Sequence, residues 1–82
     1  MNVTIFVPDL EEFWPVVDGA RQAGCRIEDP VAGYWRIERD TEIRLRRKDM
    51  GLGRAIWNSC LIGGVIGTIA MFDQDELVVR PL

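Results

Sequence analysis

The chain of 82 residues contains no histidine. That removes the side chain that most often activates a serine or cysteine nucleophile, shuttles a proton near neutral pH or binds a metal. Cysteine is scarce: Cys25 and Cys60 stand alone. One bridge is the most they can form, and by themselves they cannot make a four-thiolate zinc site or hold an iron–sulfur cluster. Phosphate-binding glycine motifs are missing as well. Gly51-x-Gly53 and Gly63-Gly64-x-x-Gly67 match neither the phosphate loop nor the dinucleotide fingerprint. The N-terminus has no basic region followed by an apolar stretch, so no secretory signal is expected. A cytoplasmic location with both thiols reduced follows as the expectation. These absences leave no catalytic residue, no metal-ligand set and no cofactor to assign.

Apolar residues, by contrast, make up 48% of the chain and include three tryptophans. The longest stretch without a charge runs through the 18 residues from Ala55 to Phe72. It lies between a basic approach (Arg44, Arg46, Arg47, Lys48, Arg54) and an acidic exit (Asp73, Asp75, Glu76). Its length is at the lower edge for a bilayer span, and Gly63-x-x-x-Gly67 has the small-residue spacing of packed membrane helices. Asn58, Ser59, Thr68 and three glycines argue the other way. The Gly63-Gly64 pair reads more simply as the end of a short helix followed by a β-rich segment.

A chain this short is expected to be one domain, 1–82, and to bury only about two-thirds of its unfolded surface. Its apolar supply exceeds what such a core hides, so part of it is expected in an interface.

The net charge of −3 argues against a general nucleic-acid binder, but the charge is unevenly distributed. Residues 36–54 hold seven bases against four acids, while the segments on either side are acidic. A basic block between acidic ends suits a local anionic contact or self-complementary docking, and equally a solvated ion-paired face.

Along the chain, Asn2 to Val7 reads as a strand ended by Pro8. Asp9-x-x-Glu12 has the form of a capping box ahead of a helix carrying Leu10, Phe13, Val17 and Ala20 at helical spacing. Pro15 lies too deep for an unbroken first turn and predicts a kink or a separate turn. Gly24 closes the helix in the left-handed position. Cys25 to Gly33 reads as a connection, with at most a short extended piece at Arg26-Ile27. Tyr34–Arg39 and Ile43–Lys48 then read as a hairpin. Its three-residue loop would pair Ile37 with Leu45 and Glu38 with Arg44. Asp49 to Gly53 is a turn and Arg54 to Ile62 a short helix. Val65–Phe72 and Glu76–Arg80 form a second hairpin pairing Met71 with Leu77 and Ile69 with Val79.

The predicted class is α+β: an antiparallel sheet with one main and one short helix, in the order β-α-β-β-α-β-β. This is the ferredoxin-like arrangement with an extra C-terminal strand. A plain antiparallel meander carrying one helix is the alternative.

Two sets of surface residues follow. Tyr34, Arg36, Arg44 and Arg46 on the basic hairpin, with Gly51, Gly53 and Arg54 at the next helix start, form a candidate anion- or RNA-binding set. An ion-pair ladder with Glu38 and Glu42 is the structural alternative. The predicted last strand, Glu76–Arg80, is apolar in its middle and reads as an open edge. Val78, Ala70, Phe72 and Trp14 are the interface candidates. Cys60 reads as a small buried hydrophobe. The functional expectation is a non-catalytic accessory subunit that binds a larger protein partner or itself. An RNA or anion binder using residues 36–54 is one alternative. A cofactor-free enzyme using carboxylates such as Glu38 or Asp40 with an arginine is another.

Overall fold

The computed structural model describes residues 2–82. Strand β1 (Val3–Pro8) leads through a separate 3₁₀ turn (Glu11–Phe13) into helix α1 (Trp14–Gln22). The break falls where Pro15 predicts it, with the proline absorbed in the first turn of α1. Gly24, at φ 91°, ends the helix in the left-handed region. The capping box does not form: the 3₁₀ turn starts at Leu10 with no side-chain cap, and the Asp9 carboxylate binds elsewhere.

Strand β2 (Arg26–Val31) follows, where the sequence suggests a connection. Asp29-Pro30 is tolerated because β2 is an edge strand with an irregular register between Glu28 and Val31. A tight turn at Ala32 (φ 55°) and Gly33 (φ 85°) joins β2 to β3 (Tyr34–Arg39). Two successive positive φ angles match the right-handed twist of the strands they connect.

The first sheet has the order β2-β3-β1-β5, where β5 is Val65–Ile66, and every pairing in it is antiparallel. β1 and β2 therefore run parallel with β3 between them, and α1 crosses from one to the other. That is a split βαβ unit; with β5 beside β1, it has the strand order of the ferredoxin-like arrangement.

The predicted hairpin between Tyr34–Arg39 and Ile43–Lys48 is absent. β3 lies between β1 and β2, with Ile37 opposite both Ile5 and Ile27. β4 (Ile43–Arg46) leaves for a second sheet of order β4-β7-β6, made with β6 (Thr68–Phe72) and β7 (Glu76–Arg80). There Ile43 faces Val79 and Leu45 faces Leu77, so all four side chains are buried. Alternation of apolar residues allows either partner for Ile43 and Leu45; in the fold they pair with the C-terminal hairpin and are buried there.

β7 is thus the central strand of its sheet, which corrects the expectation of an open edge at Glu76–Arg80. In the C-terminal hairpin Ile69 opposes Val79 as predicted. A bulge at Ala70 then shifts the register, so Phe72 rather than Met71 faces Leu77.

Between β4 and β5 in the chain come a single-turn helix α2 (Arg47–Met50) and the short helix α3 (Arg54–Ser59). Both sheets and the helices share one hydrophobic core, with Val16, Val17 and Ala20 from α1, Ile5 and Ile37 from the first sheet, Ile43 and Leu77 from the second, and Trp57 and Cys60 from the α3 region. Gly67 carries the chain from β5 to β6 at φ 145°; a Cβ there would sit 2.8 Å from the Arg80 carbonyl. The uncharged run is thus a short helix and two strands. Among the described residues, no helix is long and apolar enough to cross a membrane.

Candidate functional site

The basic residues singled out by sequence fall into three separate places. Tyr34 and Arg36 lie on β3 in the first sheet, where Arg36 Nε is 3.7 Å from Glu38 Oε1 on the same strand. Arg44 and Arg46 lie on β4 in the second sheet. Gly51, Gly53 and Arg54 belong to the link between α2 and α3.

The arginines of the second sheet are already paired. Arg44 bridges Glu76 at 2.9 Å and Glu42 at 3.3 Å; Arg46 reaches Glu76 at 3.3 Å and Arg80 reaches Glu42 at 3.1 Å. The ladder anticipated between β3 and β4 therefore exists between β4 and β7. It holds the Glu42 carboxyl below its ordinary range, through the Arg80 hydrogen bond first and Arg44 after it. Glu76, with Glu42 after it, raises the Arg44 guanidinium in turn.

Val78 shares the Glu76–Arg80 face of β7 and sits directly opposite Arg44. It is only 2% exposed, so it lies beneath the ladder rather than on a docking surface. That corrects its place among the interface candidates.

The glycine-containing link is a brace. Arg47 donates from Nη1 to the Leu52 carbonyl at 3.1 Å and from Nε to the Gln74 carbonyl at 2.7 Å. It also pairs with Asp75 at 3.5 Å, so one guanidinium ties the link to the β6–β7 turn. Leu52 is buried beneath it.

Other chemistry is sparse. Both cysteines are free and buried. Burial pushes the Cys60 thiol up to about 11, so its nucleophilic thiolate is disfavoured at neutral pH. Burial also raises Cys25, against a smaller opposing effect of Arg39. The carboxyls held away from their ordinary range, Glu42 and Asp73, are both held below it, the reverse of what a general acid needs. A hollow of about 410 Å³ beside Gly19, Met50, Arg44 and Arg46 is open to solvent. Among the described residues no group of three cysteine or carboxylate side chains is placed to hold a metal.

What the surface offers instead is apolar. At one place the indoles of Trp14 and Trp35 both donate to the same oxygen, Asp9 Oδ1, at 3.1 and 2.9 Å. Trp14 is 49% exposed and Leu10 stands exposed close by in sequence. Tryptophan is among the residues most enriched at binding hot spots. The sequence pointed to Trp14 but suggested a helix cap for Asp9. The second place is the segment from β5 to β6, where Ile66, Ile69, Met71 and Phe72 are exposed together with Ala70 and the preceding Ile62. Ala70 and Phe72 of the expected interface set are exposed there, beside Ile66, Ile69 and Met71, which that set did not include. The uncharged run was the signal for them.

The chain matches no protein-family model and no curated protein sequence. Among solved structures it is similar to a chain in the structure of a phenol hydroxylase–regulatory protein complex. The identity is 15%, the TM-score 0.74, and the match covers 98% of each chain. At that identity the likeness is one of fold.

Proposed function

We propose that this chain is a non-catalytic regulatory subunit that docks on a larger hydroxylase and modulates its turnover. The observation that carries the reading is the end-to-end match of fold to a chain of a hydroxylase–regulatory protein complex. The chain's own chemistry agrees with it. There is no histidine, the thiols are buried, the arginines of the second sheet are consumed in ion pairs, and exposed apolar side chains supply the surface.

In this reading Trp14 is the anchor: its N–H is fixed on Asp9, so little side-chain freedom is lost when its ring is covered. The subunit works in the cytoplasm with reduced thiols and needs no cofactor of its own.

The test combines the purified chain with the hydroxylase isolated from the same source, with phenol as substrate. The rate of phenol hydroxylation should change saturably as the chain is titrated in, and light scattering should show a stable complex. Trp14→Ala should raise the concentration needed at least tenfold. An unchanged rate and no complex at any ratio would overturn the reading.

A further inference from the structure

We infer that the edge formed by β5 and β6 pairs with a second copy of this chain, by antiparallel association of β6 with its counterpart. β5 is the end strand of the first sheet and β6 the end strand of the second, so residues 65–72 supply an end strand to each sheet in succession, bending at Gly67. That segment contains no charged residue and no proline. The other two sheet ends are guarded. β2 carries Arg26, Glu28, Asp29 and Pro30, and β4 carries Arg44 and Arg46. Charges and prolines are how sheet edges avoid pairing with foreign strands. Here charge and proline are missing at one edge, whose one irregularity is the bulge at Ala70, and present at both others.

The side chains along this edge are unburied as well. Ile66, Ile69, Met71 and Phe72, with Ile62 before them, are each between 37% and 71% exposed.

Charge sets the direction. The acidic turn Asp73–Asp75 lies at the Phe72 end of β6, while Arg80, bridged to Glu42, lies beside Thr68 at the other end. Antiparallel pairing of two copies keeps the two acidic turns at opposite ends of the seam, with only uncharged residues along the middle. Parallel pairing would set acid against acid. The arrangement also closes: the joined sheet would have the order β4-β7-β6-β6-β7-β4, and both its ends are the arginine-bearing β4. Pairing of one five-residue strand from each copy makes a small interface, so the dimer is expected to be reversible and to form with rising concentration. The surface is distinct from that around Trp14, so this inference stands apart from the docking proposed above.

Sedimentation equilibrium over a dilution series tests it. The wild-type mass should rise with concentration from that of one chain to that of two, and stop there. Ala70→Lys, at the middle of the exposed edge, and Met71→Lys should both remain monomeric at every concentration with unchanged circular dichroism. Mild oxidation should cross-link Ala70→Cys into a covalent dimer, while Val31→Cys on the guarded β2 edge should cross-link far less. A wild-type monomer throughout, or a dimer that survives both lysine variants, would overturn the inference. So would equal cross-linking at Val31→Cys. Trp14→Ala should leave the dimer intact, so loss of hydroxylase docking and loss of self-association are read separately.

Discussion

The indole N–H of Trp57 donates to the backbone carbonyl of Asp73 across 2.7 Å, fastening α3 to the turn between β6 and β7. The Phe72 ring meets the Trp57 ring edge-on, with centroids 5.7 Å apart. The same turn is closed from within: the Asp73 carboxylate accepts from the backbone N–H groups of Asp75 and Glu76 at 2.9 and 2.8 Å. Arg47 holds it from the far side through the Gln74 carbonyl. The end of the exposed β6 edge is therefore fixed by a fully buried side chain.

Trp57→Ala should cost about 3–5 kcal/mol, because it empties a large buried site and releases the turn. Trp57→Phe keeps most of the ring but leaves the Asp73 carbonyl without its donor, and should cost about 1–2 kcal/mol. Urea denaturation of both variants checks this. A wild-type midpoint for Trp57→Ala would show that α3 does not close the core.

The acid limb of stability should belong largely to Asp73 and Glu42. The ordinary values of these carboxyls are 3.8 and 4.5, and both are held lower in the folded chain. For Asp73 the cause is the Asp75 N–H first and the Glu76 N–H second. For Glu42 it is the hydrogen bond from Arg80 and then Arg44. A lowered folded value means that the unfolded chain binds more protons as the pH falls past the ordinary range. The stabilisation is present at neutral pH and is lost on acidification from about pH 5 downward. Thermal melts from pH 7 to 3 should show Tm falling with pH, with a shallower fall in Asp73→Asn and Glu42→Gln. A Tm independent of pH in that range would contradict the pairing.

Local chemistry was the legible part of this fold. Pro15 marked the split at the start of α1, Gly24 its end, and Gly63-Gly64 the end of the short-helix region; each acts through its own backbone. The α+β class and the C-terminal hairpin were readable for the same reason, since a tight turn keeps partner strands adjacent in sequence. Partner choice across longer separations was not. Ile43 and Leu45 are in phase with Ile37 and with Val79 and Leu77 alike, and only the assembled core decides between them. Asp29-Pro30 concealed β2, because a proline that disqualifies a central strand is harmless at an edge. Asp9 had the spacing of a cap, yet two indole donors from α1 and β3 claim its carboxylate. Of the candidate binding set, the residue types were right for an ion-pair ladder, and the strands carrying it were off by one pairing.

The central position of β7 changes what a lysine at Val78 does. On an open edge Val78→Lys would block association and spare the fold. At 2% exposure beneath the Arg44–Glu76–Arg46 ladder, the new ammonium is desolvated beside two guanidinium groups. It should destabilise the chain by about 3 kcal/mol or more. Circular dichroism should show a lost or much weakened melting transition at neutral pH. A folded monomer with a wild-type Tm would return Val78 to the surface.

The shared acceptor at Asp9 makes a prediction that separates geometry from charge. Its Oδ1 receives the N–H of Trp14 and the N–H of Trp35, so one oxygen orients a ring of the helix and a ring of the sheet. Asp9→Asn keeps an amide oxygen that can accept both bonds, whereas Asp9→Ala removes the acceptor altogether. Both bonds are exposed, so the stability cost of Asp9→Ala should be no more than about 1 kcal/mol. Its effect on the exposed ring should be larger in proportion. Trp14, with no fixed partner for its N–H, should show lower fluorescence anisotropy and weaker near-ultraviolet dichroism. If a preoriented Trp14 is the hydroxylase anchor, Asp9→Ala should weaken the complex severalfold while Asp9→Asn stays close to wild type. Titration calorimetry of the three proteins against the hydroxylase measures this. Equal weakening by both variants would assign the effect to the lost negative charge, and wild-type affinity for Asp9→Ala would remove Trp14's orientation from the docking mechanism.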